Sequence, residues 1–135
     1  MDNKKTKKIA VIEDDEPIRT MYKFKLESSG YDVYTAENGQ EGLELAEKLK
    51  PDLILLDLKM PIMNGDEMLK KLRETAWGAL ARVIILTNLS KDEAPTVLKL
   101  LNIERYIVKA HFTPSQVLNI IDEVVADMYK KDKKS

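Results

Sequence analysis

Five short apolar runs punctuate the chain, and each gives way to polar or turn-forming residues. Ile9-Ala10-Val11-Ile12, Leu53-Ile54-Leu55-Leu56 and Val83-Ile84-Ile85-Leu86 are unbroken, the pattern of strands covered on both faces. Tyr31 to Ala36 alternates like a more exposed strand. Arg105-Tyr106-Ile107-Val108 predicts a short fifth one. Helical spacing fills the gaps. Pro17 suits a first helical position. Ile18, Met21, Tyr22 and Leu26 follow it, and Ser28-Ser29-Gly30 ends that element. Asn38 with Glu41 has the capping-box spacing, ahead of Leu43, Leu45, Ala46 and Leu49 and a stop at Pro51. Gly65 opens a third helix with Met68, Leu69 and Leu72 as its stripe, and Thr75 to Leu80 reads as a loop. A fourth helix is expected from near Asp92. Pro95 would be its third residue, Leu98, Leu100 and Leu101 would follow, and Asn102 would end it in a left-handed conformation. Thr113 and Pro114 start a last helix, whose buried face is Val117, Ile120, Ile121, Val124, Val125 and Met128. Strand and helix thus alternate five times. That predicts an α/β fold: a five-stranded parallel sheet with helices on both faces and right-handed crossovers.

Composition narrows the class. The 135 residues fit one domain, expected over 8–129 between a flexible lead-in at 1–7 and a polar, fraying tail at 130–135. Hydrophobic residues make up 44%, enough for a core. Lys+Arg 22 against Asp+Glu 23 gives no basic surface for nucleic acid or membrane. With no cysteine, disulfides and thiolate metal sites are excluded. The apolar stretch after the basic amino terminus is too short for a signal peptide, and no run could span a bilayer. A soluble, cytoplasmic protein is expected.

Parallel strands bring their carboxyl ends to one edge, where ligands bind in open α/β sheets. There stand Glu13-Asp14-Asp15, Asp57, Thr87 and Lys109. Such carboxylates repel one another unless compensated. A magnesium ion would relieve them, since it takes oxygen ligands and keeps several waters. Asp14 and Asp57 are the best direct ligands, with Glu13 acting through water. The same set serves phosphoryl transfer, where positioning and charge stabilisation dominate. Asp57 is the candidate nucleophile. Lys109 is a point charge and Thr87 a hydroxyl donor for the phosphoryl oxygens. Each residue also has a plain structural reading: Asp57 as a turn residue, Asp15 and Glu16 as helix-dipole partners, Lys109 as an ion-pair partner. Their joint placement on four strand ends is what argues for chemistry. His111, the only histidine, falls in a loop rather than on a helix face, and Trp77 reads as a packing anchor.

Together these residues resemble the receiver domain of two-component response regulators, over roughly residues 7–128. Val11-Ile12-Glu13-Asp14-Asp15-Glu16-Pro17 resembles the family's acidic stretch. Asp57-Leu58-Lys59-Met60-Pro61-Ile62-Met63-Asn64-Gly65 resembles its phosphoacceptor signature, and Leu86-Thr87 and Tyr106 with Lys109 its switch and lysine positions. The resemblance implies a flavodoxin-like (βα)5 sheet of order 2-1-3-4-5. It implies Mg²⁺-dependent phosphorylation of Asp57 by a histidine kinase, a phosphotransfer protein or a small phosphodonor. Glu13 and Asp14 would be the acidic pair and the Lys59 carbonyl a further metal ligand. Thr87 and Tyr106 would move on phosphorylation. The surface of the fourth helix, fifth strand and fifth helix would then change its preference for a downstream protein or for a second copy of the chain. The chain would be a signalling domain, with at most self-phosphorylation and autodephosphorylation chemistry, either standing alone or cut from a longer protein.

Three departures stand out. Ala110 replaces the proline that usually follows the lysine. A non-proline cis bond costs about 3 kcal/mol, so a trans bond or a strained exception is expected. Asn88 is larger than the small residue common after the threonine. Asn102-Ile103-Glu104-Arg105 replaces a glycine-containing approach to the fifth strand. Three other functions compete. A haloacid-dehalogenase-type phosphatase would need an acid where Lys59 stands. A flavodoxin-like FMN carrier would need a glycine- and hydroxyl-rich cradle where Glu13-Asp14-Asp15 stands. A docking-only receiver would not need Asp57, Asp14, Thr87 and Lys109 intact.

Overall fold

Side-chain alternation along the strands sets up the whole architecture. In the computed structural model, which describes residues 7–134, β1 (Lys8–Ile12), β2 (Asp32–Ala36), β3 (Leu53–Leu56), β4 (Val83–Thr87) and β5 (Arg105–Val108) form one parallel sheet of order β2-β1-β3-β4-β5. Successive residues point to opposite faces, so the sheet divides two apolar layers that share no buried side chain. Ala10, Ile12, Ile54, Leu56, Val83 and Ile85 face one layer, with Met68, Leu69 and Leu72. Ile9, Val11, Leu53, Leu55, Ile84 and Leu86 face the other, with Tyr22, Leu26, Val117, Ile121 and Val124. The first layer is covered by α2 (Gly39–Leu49) and α3 (Gly65–Arg73), the second by α1 (Glu16–Ser28) and α4 (Pro114–Lys134).

The starts of the helices carry the expected chemistry. Asp15 caps α1, accepting from Ile18 N at 3.1 Å. Asn38 caps α2, accepting from Glu41 N at 2.9 Å. Thr113 and Gln116 exchange hydrogen bonds at the start of α4. Lys50 ends α2 in a left-handed conformation (φ 50°), and Asn102 (φ 53°) is left-handed near the end of the β4–β5 connection. The described residues contain no cis peptide bond, so Lys109–Ala110 is trans.

Two expectations need correction. The α-helix expected over Asp92–Leu101 does not form. Residues 91–93 make a turn, and only Thr96–Leu100 winds, as a 3-10 helix behind Pro95, whose ψ of 134° is extended. A residue preceding proline is pushed out of the α region, so Ala94 interrupts the helix, and Asn102 stops it before an α-helix can establish. Only four α-helices are therefore present among the described residues. Conversely, the tail does not fray from Lys130; α4 runs to Lys134, and the lysine-rich end is favourable helix composition. The stretch read as a loop from Thr75 contains a 3-10 turn at Gly78–Leu80. The lead-in lies, except for Lys7, outside the described residues.

Candidate functional site

Asp57 leaves β3 with its main chain still tied to the sheet, its N–H donating to Ile12 O at 3.1 Å. Its carboxylate is fixed on both oxygens. Oδ1 accepts from Leu58 N at 2.7 Å and Lys59 N at 3.4 Å, and Oδ2 accepts from Lys109 Nζ at 3.1 Å. The turn that follows is packed main chain to main chain. Gly65 N donates to Leu58 O at 2.9 Å, and a Cβ on Gly65 would lie 2.1 Å from the Asp57 carbonyl oxygen. Asn64 accepts from Met60 N at 3.1 Å through its side chain. Met63 O accepts from Gly39 N at 2.9 Å, joining the loop to the start of α2.

Lys109, at the end of β5, reaches across to pair with Glu13 Oε1 at 2.5 Å as well as with Asp57. Glu13 Oε2 accepts from Asp15 N at 3.1 Å. One oxygen each of Glu13, Asp14 and Asp57 can converge within 4.8 Å, with Glu13 and Asp57 buried and Asp14 exposed. Burial pushes the Glu13 carboxyl up to about 7 against the pull of the Lys109 hydrogen bond, and the Asp57 charge adds to the rise. Burial works to lower the Lys109 pKa, but the Glu13 hydrogen bond and the Asp57 charge outweigh it and hold the ammonium above its usual value. The two directions agree physically: one cation faces two enclosed carboxylates, and the more enclosed carboxyl is left undercompensated. An all-oxygen donor set with unmet negative charge fits a hard divalent cation.

Above this group opens a cavity of about 270 Å³ lined by Asp57, Lys59, Thr87, Asn88, Leu89, Glu93 and Lys109. Thr87 is buried and its hydroxyl oxygen stands 3.5 Å from Leu89 N. Tyr106 lies outside the cavity; its hydroxyl donates to Leu89 O at 2.8 Å and Ser90 O at 3.2 Å. Burial raises its pKa, with the charges of Glu93 and Asp57 adding. Exposed His111 ends a 3-10 turn at Lys109–His111 and does not line the cavity. Trp77 packs half-buried against the apolar layer under α2 and α3. Asp15, the third acid, is a helix cap.

Two supports were not read from sequence. Arg19 donates to the carbonyls of Glu13 (2.9 Å) and Asp14 (3.3 Å), holding the acidic turn from α1. Glu93 stands at the cavity mouth, and its carboxyl is lowered by hydrogen bonds from the Ser90 main chain and hydroxyl, with Lys59 contributing. A lone basic side chain on α1 and a lone acid in a turn give no periodic signal.

Residues 9–122 match the response regulator receiver domain family. The chain belongs to that family. It is 42% identical over 112 residues to the alkaline phosphatase synthesis transcriptional regulatory protein PhoP of Bacillus subtilis, a match covering 82% of this chain and 45% of PhoP. It is 38% identical over 129 residues to the nitrate/nitrite response regulator protein NarL of Escherichia coli, covering 93% of this chain and 58% of NarL. The receiver thus spans about half the length of these relatives. Among solved structures, the chemotaxis response regulator CheY4 of Vibrio cholerae superposes with a TM-score of 0.79 at 30% identity, covering 87% of this chain and 98% of CheY4. This family is a signalling domain of two-component systems rather than a conventional enzyme. No helix of the described residues is long and apolar enough to cross a membrane.

Proposed function

We propose that this receiver accepts a phosphoryl group on Asp57 and passes the change to a protein partner. The observation that carries the reading is the Lys109 bridge to both Asp57 and Glu13 at the mouth of a cavity that also holds Thr87. A carboxylate oxygen of Asp57 attacks the phosphorus of a phosphohistidine; the new O–P bond forms as the P–N bond breaks, and the released imidazole takes a proton. Leu58 N and Lys59 N hold the other carboxylate oxygen, so the attacking group is already oriented. Lys109 and the Thr87 hydroxyl donate to phosphoryl oxygens as charge builds on them. Glu13, Asp14 and Asp57, with the Lys59 carbonyl, would hold Mg²⁺, which supplies countercharge to the transferring group. Slow self-phosphorylation from small donors and hydrolysis of the aspartyl phosphate complete the chemistry.

The phosphodonor is a histidine kinase or phosphotransfer protein in the cytoplasm, with residues 8–129 as the working unit. Tyr106 and Thr87 carry the change to the β4–β5 segment, β5 and α4. There a downstream protein, or a second copy in a phosphorylation-dependent dimer, would read it in place of direct contact with nucleic acid or membrane. Intact mass after incubation with acetyl phosphate tests the reading. One added phosphoryl group that requires Mg²⁺ and is absent from Asp57→Asn is expected. Addition that survives Asp57→Asn would overturn the acceptor assignment.

A further inference from the structure

The segment between β4 and β5 has lost the main-chain ladder of an α-helix, and two side chains hold it instead. The near end is tied by Tyr106, whose hydroxyl takes the Leu89 and Ser90 carbonyls; Leu89 also lines the Asp57 cavity. The far end is tied by Arg73. Its Nε donates to Leu101 O at 2.8 Å and its Nη2 to Asn102 O at 2.9 Å, while Nη1 donates to Gly78 O at 2.8 Å and Ala81 O at 2.5 Å. Arg73 itself closes α3. The carboxyl ends of two 3-10 turns, at Ala81 after Gly78–Leu80 and at Leu101–Asn102 after Thr96–Leu100, therefore meet one guanidinium, and each presents carbonyl oxygens to it. Burial lowers the Arg73 pKa while the Glu104 charge opposes it, as for a cation drawn in among carbonyls. Between the tethers, Leu98 and Leu101 insert into the core and Leu100 stays 84% exposed. The 3-10 bonds that remain are poorer in geometry than α-helical ones.

We infer that Arg73 is a positioning residue that fixes the far end of the β4–β5 segment, so that a change at Asp57 moves the segment about Leu101–Asn102. The inference rests on the acceptor reading for its trigger. The tether itself stands on the two hydrogen bonds to Leu101 and Asn102, with the bonds to Gly78 and Ala81 fixing the guanidinium.

Amide exchange read by mass spectrometry tests it on the full chain, in wild type, Arg73→Lys, Arg73→Gln and Tyr106→Phe, with and without acetyl phosphate and Mg²⁺. Thermal melts confirm that each variant folds. Arg73→Lys keeps the charge but loses the fork, and should speed exchange about tenfold at the Leu101 and Glu104 amides; Arg73→Gln should do the same. Tyr106→Phe should speed exchange at residues 89–94 and spare Leu101. Phosphorylated wild type should change exchange near Leu89 while Leu101 and Glu104 stay protected. Both Arg73 variants should still take the phosphoryl group at the wild-type rate. Unchanged exchange at Leu101, or a rise spread evenly over the sheet, would overturn the tether. Loss of protection at Leu101 in phosphorylated wild type would overturn the pivot. A wild type that takes no phosphoryl group would sink the acceptor reading, while faster exchange confined to 95–104 in Arg73→Lys would still uphold the tether.

Discussion

The α2 crossover and the β4–β5 crossover join neighbouring regions of one sheet by opposite means. In α2 the chain closes a continuous helix between Asn38 and Lys50, and its two glycines lock into neighbours. A Cβ on Gly39 would lie 2.3 Å from Met63 O, and one on Gly42 would lie 2.7 Å from Ile12 Cδ1. The β4–β5 crossover has one short 3-10 turn and hangs on Arg73 and Tyr106. Main-chain closure makes a frame that can move only by unfolding. Side-chain tethers make a part that moves by exchanging a few bonds. The carboxylates of the site belong to the frame, and the cavity wall around Leu89 belongs to the tethered part.

That contrast can be broken most severely at its centre. Asp57→Asn should abolish phosphoryl addition by intact mass while the tethered segment keeps its fold, since the proposed acceptor belongs to the frame alone. Gly65→Ala comes next. Its Cβ would meet the Asp57 carbonyl, so it should lower stability by about 3 kcal/mol in urea melts and slow loading in parallel. A comparable substitution in the tethered part, at exposed Leu100, should do neither.

Acidity sharpens the contrast. The folded Glu13 pKa of about 7 lies above its ordinary 4.5, so between those values the folded state binds more protons than the unfolded one. Stability from this group is therefore greatest at the acid end and falls as pH rises from 4.5 through about 7, by about 3 kcal/mol in all. Urea melts across pH 5–8 should show wild type losing ground to Glu13→Gln as pH rises. A constant difference would mean that Lys109 fully compensates the carboxylate. The smallest effect is expected from Tyr106→Phe, which removes one hydroxyl's bonds to Leu89 and Ser90. It should lower stability by about 1 kcal/mol and leave phosphoryl loading unchanged.

The frame was largely legible in the sequence and the tethers were not. Strands covered on both faces leave unbroken apolar runs, so β1, β3 and β4 could be placed from composition alone. Asn38, Thr113 and Asn102 announced their roles because caps and left-handed turns demand particular side chains. The β4–β5 connection misled because Leu98 and Leu101, three apart, fit a 3-10 and an α-helical face equally. What decides is the effect of Pro95 on the residue before it. Arg73 follows Lys70-Lys71-Leu72 and reads as a solvated helix end; two of its carbonyl partners, Leu101 and Asn102, lie nearly thirty residues further along the chain. Arg19 is hidden because its partners are main-chain carbonyls, which no side-chain pattern announces. At the site, strand ends and residue type placed Glu13, Asp57, Thr87 and Lys109 around one edge, whereas the sharing of Lys109 between two carboxylates depends on side-chain reach that no spacing encodes.

The two apolar layers on either side of the sheet have no buried side chain in common. Substitutions in one layer should therefore leave the other's energetics nearly untouched, because distant sites without shared partners act additively. Over evolutionary time the α1–α4 surface and the α2–α3 surface can drift separately. Duplicated copies of such a chain can diverge in whom they meet one face at a time, because neither layer constrains the packing of the other.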